Sequence, residues 1–232
     1  MKIGILQCGH TPDAVAQRHG EFEDMFRRLL GGEGLEFRTW NVVDMEFPAG
    51  PGEAEGWLVT GSRHGAYDDL PFIPVLEELI RQIDASGRPM VGICFGHQII
   101  AQAMGGTVVK FPGGWSVGPK HYRWEGLGDI TLTAWHQDQV ISPPPEAVTV
   151  ARNDFTEHAA FLYGDRIFTI QPHPEFSTEV ARSYVEAKRD APDYPEGMIE
   201  DAEARLSQPL DDRRIGHCIA AFLKHRTPPH AC

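Results

Sequence analysis

Short apolar runs alternate with amphipathic stretches from residue 1 to about residue 104. Residues 2–7 make a first apolar run, the length of a buried strand. Over 17–30, Phe22, Met25, Phe26, Leu29 and Leu30 recur at helical spacing, and Gly31-Gly32 closes that helix. Residues 35–43 alternate apolar with polar and predict a second strand, and 56–60 form a short apolar strand that closes on Gly61-Ser62. Ile73, Leu76, Leu79, Ile80 and Ile83 share one face of a helix over 72–85. A strand over 89–93 and a helix over 96–104, stopped by Gly105-Gly106, complete the series. Strands alternating with helices predict a mostly parallel sheet with helices on both faces.

The rhythm changes after Thr107. Short β-like runs over 107–111, 121–124, 130–134, 147–152, 159–163 and 166–170 predict antiparallel strands that extend or adjoin the sheet. After Pro174 the chain turns helical and charged, with a loop over 190–197. The expected fold class is therefore α/β, with a flavodoxin-like parallel core, added antiparallel strands and a helical C-terminal tail. Residues 1–180 are expected to form the main domain, and 181–232 a helical extension packed on it.

The predicted strand over 89–93 runs into Gly92-Ile93-Cys94-Phe95-Gly96-His97-Gln98. A cysteine at a strand–turn–helix corner is pushed out of the backbone trace. It also lies near a helix N-terminus, whose partial positive charge favours thiolate. This is the geometry of the nucleophile elbow with Cys in place of Ser. Such a nucleophile needs a base, a group that orients the base, and donors for an oxyanion.

With eleven histidines in the chain, counting selects none. Position selects His173, held between Pro172 and Pro174 at the end of the strand over 166–170. Glu175, two residues on, shares its face in extended chain and can hold one ring nitrogen. The N–H of Phe95 and an N–H from Gly61 or Ser62 are the candidate oxyanion donors. Taken singly, each feature has a plainer reading: a core cysteine, a turn histidine, a helix-capping glutamate, a turn glycine. Their joint occurrence in this order points to acyl transfer from a carbonyl substrate. His97 reads as packed structure, His136 as a loop histidine, and Cys8 as buried and inert.

Charge and composition narrow the class. The formal net charge of −12 disfavours a nucleic-acid surface and an anionic membrane surface. No apolar run reaches the length of a transmembrane helix, and Met1–Gln7 has no cleavage-site pattern. Four cysteines are too few for a disulfide framework and match no zinc spacing. A reducing cytoplasm, in which Cys94 stays a free thiol, is the expected location. No metal or other cofactor is expected.

At these residues the chain resembles the class I (triad) glutamine amidotransferase family. The Cys94 segment is similar to the nucleophile motif G-x-C-x-G-x-Q, and Gln171-Pro172-His173-Pro174-Glu175 to the H-P-E motif. Trp135-His136-Gln137-Asp138-Gln139-Val140 resembles the S-H-x-D-x-V segment of the GMP synthase amidotransferase domain. Glu33-Gly34, Glu46-Phe47-Pro48, Thr60-Gly61-Ser62 and the tail helices add a likeness to the stand-alone γ-glutamyl peptidases of plants.

The resemblance implies that Cys94 forms a γ-glutamyl thioester, His173 shuttles the proton and Glu175 orients His173. It implies that Gln98 helps hold the glutamyl group, and that Trp135, Gln137 and Asp138 lie in the substrate-contacting segment. The implied substrate is glutamine or a γ-glutamyl compound. The implied partner, if any, is a synthetase subunit receiving ammonia in trans. Two departures stand out: Thr60-Gly61-Ser62-Arg63 replaces the glycine-rich oxyanion turn of synthetase-linked relatives, and Trp135 replaces a small or polar residue. The competing class is a non-catalytic regulatory or interaction subunit. Other flavodoxin-like cysteine hydrolases typically place histidine directly after the nucleophile, where this chain has Phe95.

Overall fold

A computed structural model describes residues 1–189 and 191–232; Asp190, the first residue of the expected 190–197 loop, lies outside the described residues. In chain order the first half contains β1 (Lys2–Leu6), α1 (Asp13–His19), α2 (Phe22–Leu29), β2 (Glu36–Trp40), β3 (Gly56–Val59), α3 (Phe72–Ala85), β4 (Met90–Ile93) and α4 (Phe95–Ala103). The second half contains β5 (Thr107–Lys110), β6 (Ser116–Trp124), β7 (Gly128–His136), β8 (Asp138–Ser142), β9 (Val148–Arg152), β10 (Ala160–Tyr163), β11 (Ile167–Ile170), α5 (Thr178–Lys188), α6 (Met198–Arg205) and α7 (Asp212–His225).

Among the described residues a nine-stranded sheet has the order β2-β1-β3-β4-β11-β10-β9-β6-β7, and β5 pairs with β8 in a separate ribbon. The run from β2 to β11 is parallel. The run from β11 through β10, β9, β6 and β7 is antiparallel. The central strands are buried on both faces, which explains their unbroken apolar runs. On one face Leu58, Val91, Ile93, Phe168 and Ile170 pack with Phe26 of α2 and with Ile219 and Phe222 of α7. On the other, Trp57, Val59, Met90 and Ile167 pack with Leu76 and Ile80 of α3 and Phe95, Ile99 and Ile100 of α4. A smaller cluster joins Val117 of β6 to Ala181 and Val185 of α5 and to Ile199 and Ala202 of α6.

Several elements differ from expectation for definable reasons. The helix expected over 17–30 is two helices, α1 and α2, because the chain turns at Gly20, which has φ 76°. A capping box between Glu21 and Asp24 then restarts the helix. The strand expected over 35–43 ends at Trp40, and Val42–Asp44 close into a single 3-10 turn. The last strand, grouped by its length with the antiparallel series, pairs on one side with β10 and on the other runs parallel to β4. Pairing register between distant segments is a tertiary fact that strand length does not carry. β8 emerges from the segment read only as a motif.

Cys218 of α7 and Cys232 are joined in a disulfide with Cα atoms 5.3 Å apart, whereas Cys8 and Cys94 are free. Four cysteines, too few for a disulfide framework, thus still form one bridge. Among the described residues, no helix is long and apolar enough to cross a membrane.

Candidate active site

The site is built from the carboxyl ends of adjacent parallel strands, where open α/β sheets bind ligands. β4 and β11 are neighbours with Ile93 opposite Ile170. The Cys94 N–H continues the ladder, donating to Ile170 O at 2.8 Å. The chain leaving β11 therefore passes beside Cys94. His173 is anchored there because its N–H donates to Thr133 O of β7 at 2.8 Å, while Thr133 Oγ1 donates to Phe176 O at 3.2 Å.

Cys94 has φ 54° and ψ −105°, a region that a residue with a side chain enters only at a cost of about 1–3 kcal/mol. Glycines on both sides allow the sharp corner. A Cβ on Gly96 would run into Val59 O of β3, and one on Gly92 would lie 2.5 Å from Gly96 O. Phe95, the first residue of α4, has an N–H with no acceptor inside the helix.

The imidazole of His173 lies between the thiol and the carboxylate. Nδ1–H donates to Glu175 Oε1 at 2.7 Å; the carboxylate can only accept, so Nδ1 carries the hydrogen and Nε2 is left for the thiol side. Cys94, His173 and Glu175 are only 4–5% exposed. Burial by itself would lower the His173 pKa, but the neighbouring Cys94 sulfur and the Glu175 carboxylate outweigh it and hold the ring well above its ordinary value. A raised pKa keeps His173 protonated beside Cys94 and Glu175, where it can act as a proton donor.

The Gly61-Ser62 turn, which holds the candidate oxyanion donors, follows β3. A Cβ on Gly61 would come within 3.0 Å of His173 Cε1, so glycine there lets the turn lie against the imidazole. Ser62 faces the cavity, and its Oγ accepts the His64 N–H at 3.1 Å.

A cavity of about 750 Å³ opens above these groups and is lined by Ser62, Cys94, Gln98, Trp135, Gln137, Asp138 and His173 among others. Of the residues expected around the substrate, Gln98 is buried and donates both to Asp138 O at 2.9 Å and to Gln171 Oε1 at 3.0 Å. The Gln98 amide thus ties Asp138 to Gln171. Asp138 accepts from Tyr67 O–H at 3.0 Å, and burial raises its carboxyl pKa. Trp135 donates its indole N–H to Tyr194 Oη at 3.0 Å.

His97 and His136 are buried outside this chemistry. Burial, then the charge of neighbouring histidines, lowers each pKa to about 3. His136 Nδ1–H donates to Asp138 O at 3.2 Å, which fixes the turn before β8. Cys8 is wholly buried and burial pushes its thiol pKa up, in keeping with an inert core position.

Sequence reasoning missed Tyr67, Trp115, Phe176, Tyr184 and Tyr194, all of which line the cavity. Tyr184 and Tyr194 belong to the charged tail. Two tyrosines in a stretch otherwise rich in charge were the available signal.

Residues 54–189 match the family described as Glutamine amidotransferase class-I. Gamma-glutamyl peptidase 4 of Arabidopsis thaliana is 28% identical to this chain over 235 residues, covering 94% of each. The Gamma-glutamyl-L-1-hydroxyisopropylamide hydrolase of a Pseudomonas species is 29% identical, covering 80% of this chain and 74% of that one. A glutamine amidotransferase from Methylobacillus flagellatus, known from its crystal structure, has the same fold: the TM-score is 0.75 at 24% identity, over 96% of this chain and 93% of that one. A profile match over more than half the chain establishes that the protein belongs to the class-I glutamine amidotransferase family, an α/β enzyme family.

Proposed function

We propose that this enzyme hydrolyses the γ-amide bond of a γ-glutamyl compound through a thioester on Cys94, acting without a synthetase subunit. The observation that carries the reading is the run of Cys94, His173 and Glu175 along one strand-end edge, with the 2.7 Å His173–Glu175 contact and the raised His173 pKa. Similarity to a γ-glutamyl peptidase along 94% of both chains supports hydrolysis over ammonia transfer.

In this mechanism the Cys94 thiolate attacks the γ-carbonyl carbon. The oxyanion accepts hydrogen bonds from the Phe95 N–H and from an amide of the Gly61-Ser62 turn. His173 gives its Nε2 proton to the departing nitrogen, the C–N bond breaks, and a neutral amine leaves behind the thioester. Water then loses a proton to His173 as it attacks the thioester, releasing glutamate and restoring the ion pair. Glu175 keeps His173 in one tautomer and stabilises its charge. Gln98 acts by fixing the main chain of Gln137 and Asp138, which faces the glutamyl α-groups.

The test is glutamate release by the purified chain from glutamine and from a γ-glutamyl dipeptide in parallel, with Cys94→Ala as control. Release from the dipeptide, lost in Cys94→Ala, is expected. Release from glutamine alone, and only with an added synthetase, would instead make the chain a glutaminase subunit.

A further inference from the structure

The cavity has two unlike flanks. One is polar, formed by Tyr67, Gln98, Gln137 and Asp138. The other is a continuous series of rings that begins at the candidate proton donor. Phe176 stacks on His173 with centroids 4.2 Å apart, and Tyr184 stacks on Phe176 at 4.6 Å. Trp135 lies 5.3 Å from Tyr184, Tyr194 lies 6.0 Å from Trp135, and Trp115 lies 4.7 Å from Tyr194. All five of these side chains line the cavity, and Trp115, Trp135 and Tyr194 are only partly buried there.

The polar handles of this wall are turned on one another. The Trp135 N–H is taken up by Tyr194 Oη, so this donor is satisfied within the wall and asks nothing of a bound molecule. Trp135 also stands where the resembled segment has a serine.

The proton donor fixes the orientation of a bound amide. The leaving nitrogen has to come within hydrogen-bond reach of His173 Nε2, so whatever that nitrogen carries extends along the flank that starts at His173. Ammonia would need no room there. A volume of about 750 Å³ is instead the size that encloses a whole small molecule. We infer that the Trp115–Trp135–Tyr194 wall is a leaving-group subsite for an apolar, ring-bearing amine, and that the preferred substrates are γ-glutamyl amides of such amines. This inference rests on the γ-glutamyl hydrolase reading. Ring stacking on the wall holds the remote half of the substrate and directs the scissile bond onto Cys94.

The test compares kcat/KM for γ-glutamylbenzylamide and γ-glutamylmethylamide, two alkyl amides that differ in the ring. A preference of about tenfold to a hundredfold for the benzylamide is expected, the scale on which a pocket discriminates apolar groups. Trp115→Ala and Tyr194→Ala should each shrink that ratio toward one, with circular dichroism and melting curves checking that each variant is folded. Tyr194→Phe, which keeps the ring, should retain most of the ratio. Equal turnover of the two amides by the unaltered enzyme, or a ratio untouched in both alanine variants, overturns the subsite. Turnover of neither amide while a γ-glutamyl dipeptide is cleaved also overturns the subsite, and turnover of none of the three overturns the hydrolase reading itself.

Discussion

In the proposed mechanism His173 is the residue on which the chemistry turns, because its proton has to be present when the amine leaves. Its pKa is lifted from the ordinary 6.5 to about 10 by the Cys94 sulfur and Glu175 against the opposing effect of burial. The sign follows directly: the imidazolium persists through neutral pH and is lost as pH rises toward the lifted value. We expect kcat/KM on a γ-glutamyl amide to hold from pH 7 to about 9 and to fall near pH 10. A decline centred near 6.5 would contradict the ion pair. Glu175→Ala removes only the orienting carboxylate, and a loss of about a hundredfold in kcat is expected from stopped assays, short of the loss at Cys94. Cys94 and His173 were legible in the sequence because local rules place them. A cysteine between two close glycines marks a strand–helix corner, and two prolines hold a histidine at a strand end. Tyr184 and Tyr194 were not legible as site residues. Nothing local in α5 or in the segment before α6 states which surface they will meet.

At the scale of elements, the contact between α4 and β3 sets the position of Cys94, the candidate nucleophile. Gly96 brings the helix backbone against Val59 O, so Gly96→Ala forces backbone atoms apart rather than a flexible side chain. Chemical denaturation should show a loss of about 2 kcal/mol or more, the scale of overpacking in a filled core. A smaller change would mean that the helix can shift freely. The strand alternation of the first hundred or so residues was legible because β1, β3 and β4 are short apolar runs, β2 alternates, and α2 and α3 each carry one apolar stripe. The parallel pairing of β11 with β4 was not, although it brings His173 beside Cys94. It depends on an excursion through β5 to β10 whose return point no short window of sequence records. The tail likewise belongs to the site, since Tyr184 of α5 and Tyr194 line the cavity. The proposed division at residue 180 therefore separates the motif-bearing segment from the helices that complete the pocket wall.

Across the whole molecule, stability should depend on pH through His97 and His136. Both are buried with pKa values near 3, below the ordinary 6.5, so the unfolded chain binds protons that the folded chain refuses. Their contribution is present above 6.5 and is lost as pH falls from there toward 3. By pH 4.5 the loss is on the order of 3 kcal/mol for each residue. Melting temperatures measured at pH 6.5 and 4.5 should fall accordingly, and an unchanged value would contradict neutral burial. The Cys218–Cys232 bridge ties the chain end to α7 across a separation of 14 residues. Its removal in Cys232→Ser should cost about 3 kcal/mol by the loop-entropy estimate, read as a shift in denaturation midpoint. The proposed site needs Cys94 as a free thiol, which it is. Its central claim is that Cys94 carries the glutamyl group. The direct measurement is an acid quench of the enzyme turning over a γ-glutamyl amide, followed by mass spectrometry of the peptide containing Cys94. One γ-glutamyl group on Cys94, absent when the substrate is omitted, is the predicted result. Steady glutamate release with Cys94 unmodified, and undiminished in Cys94→Ala, would contradict the account.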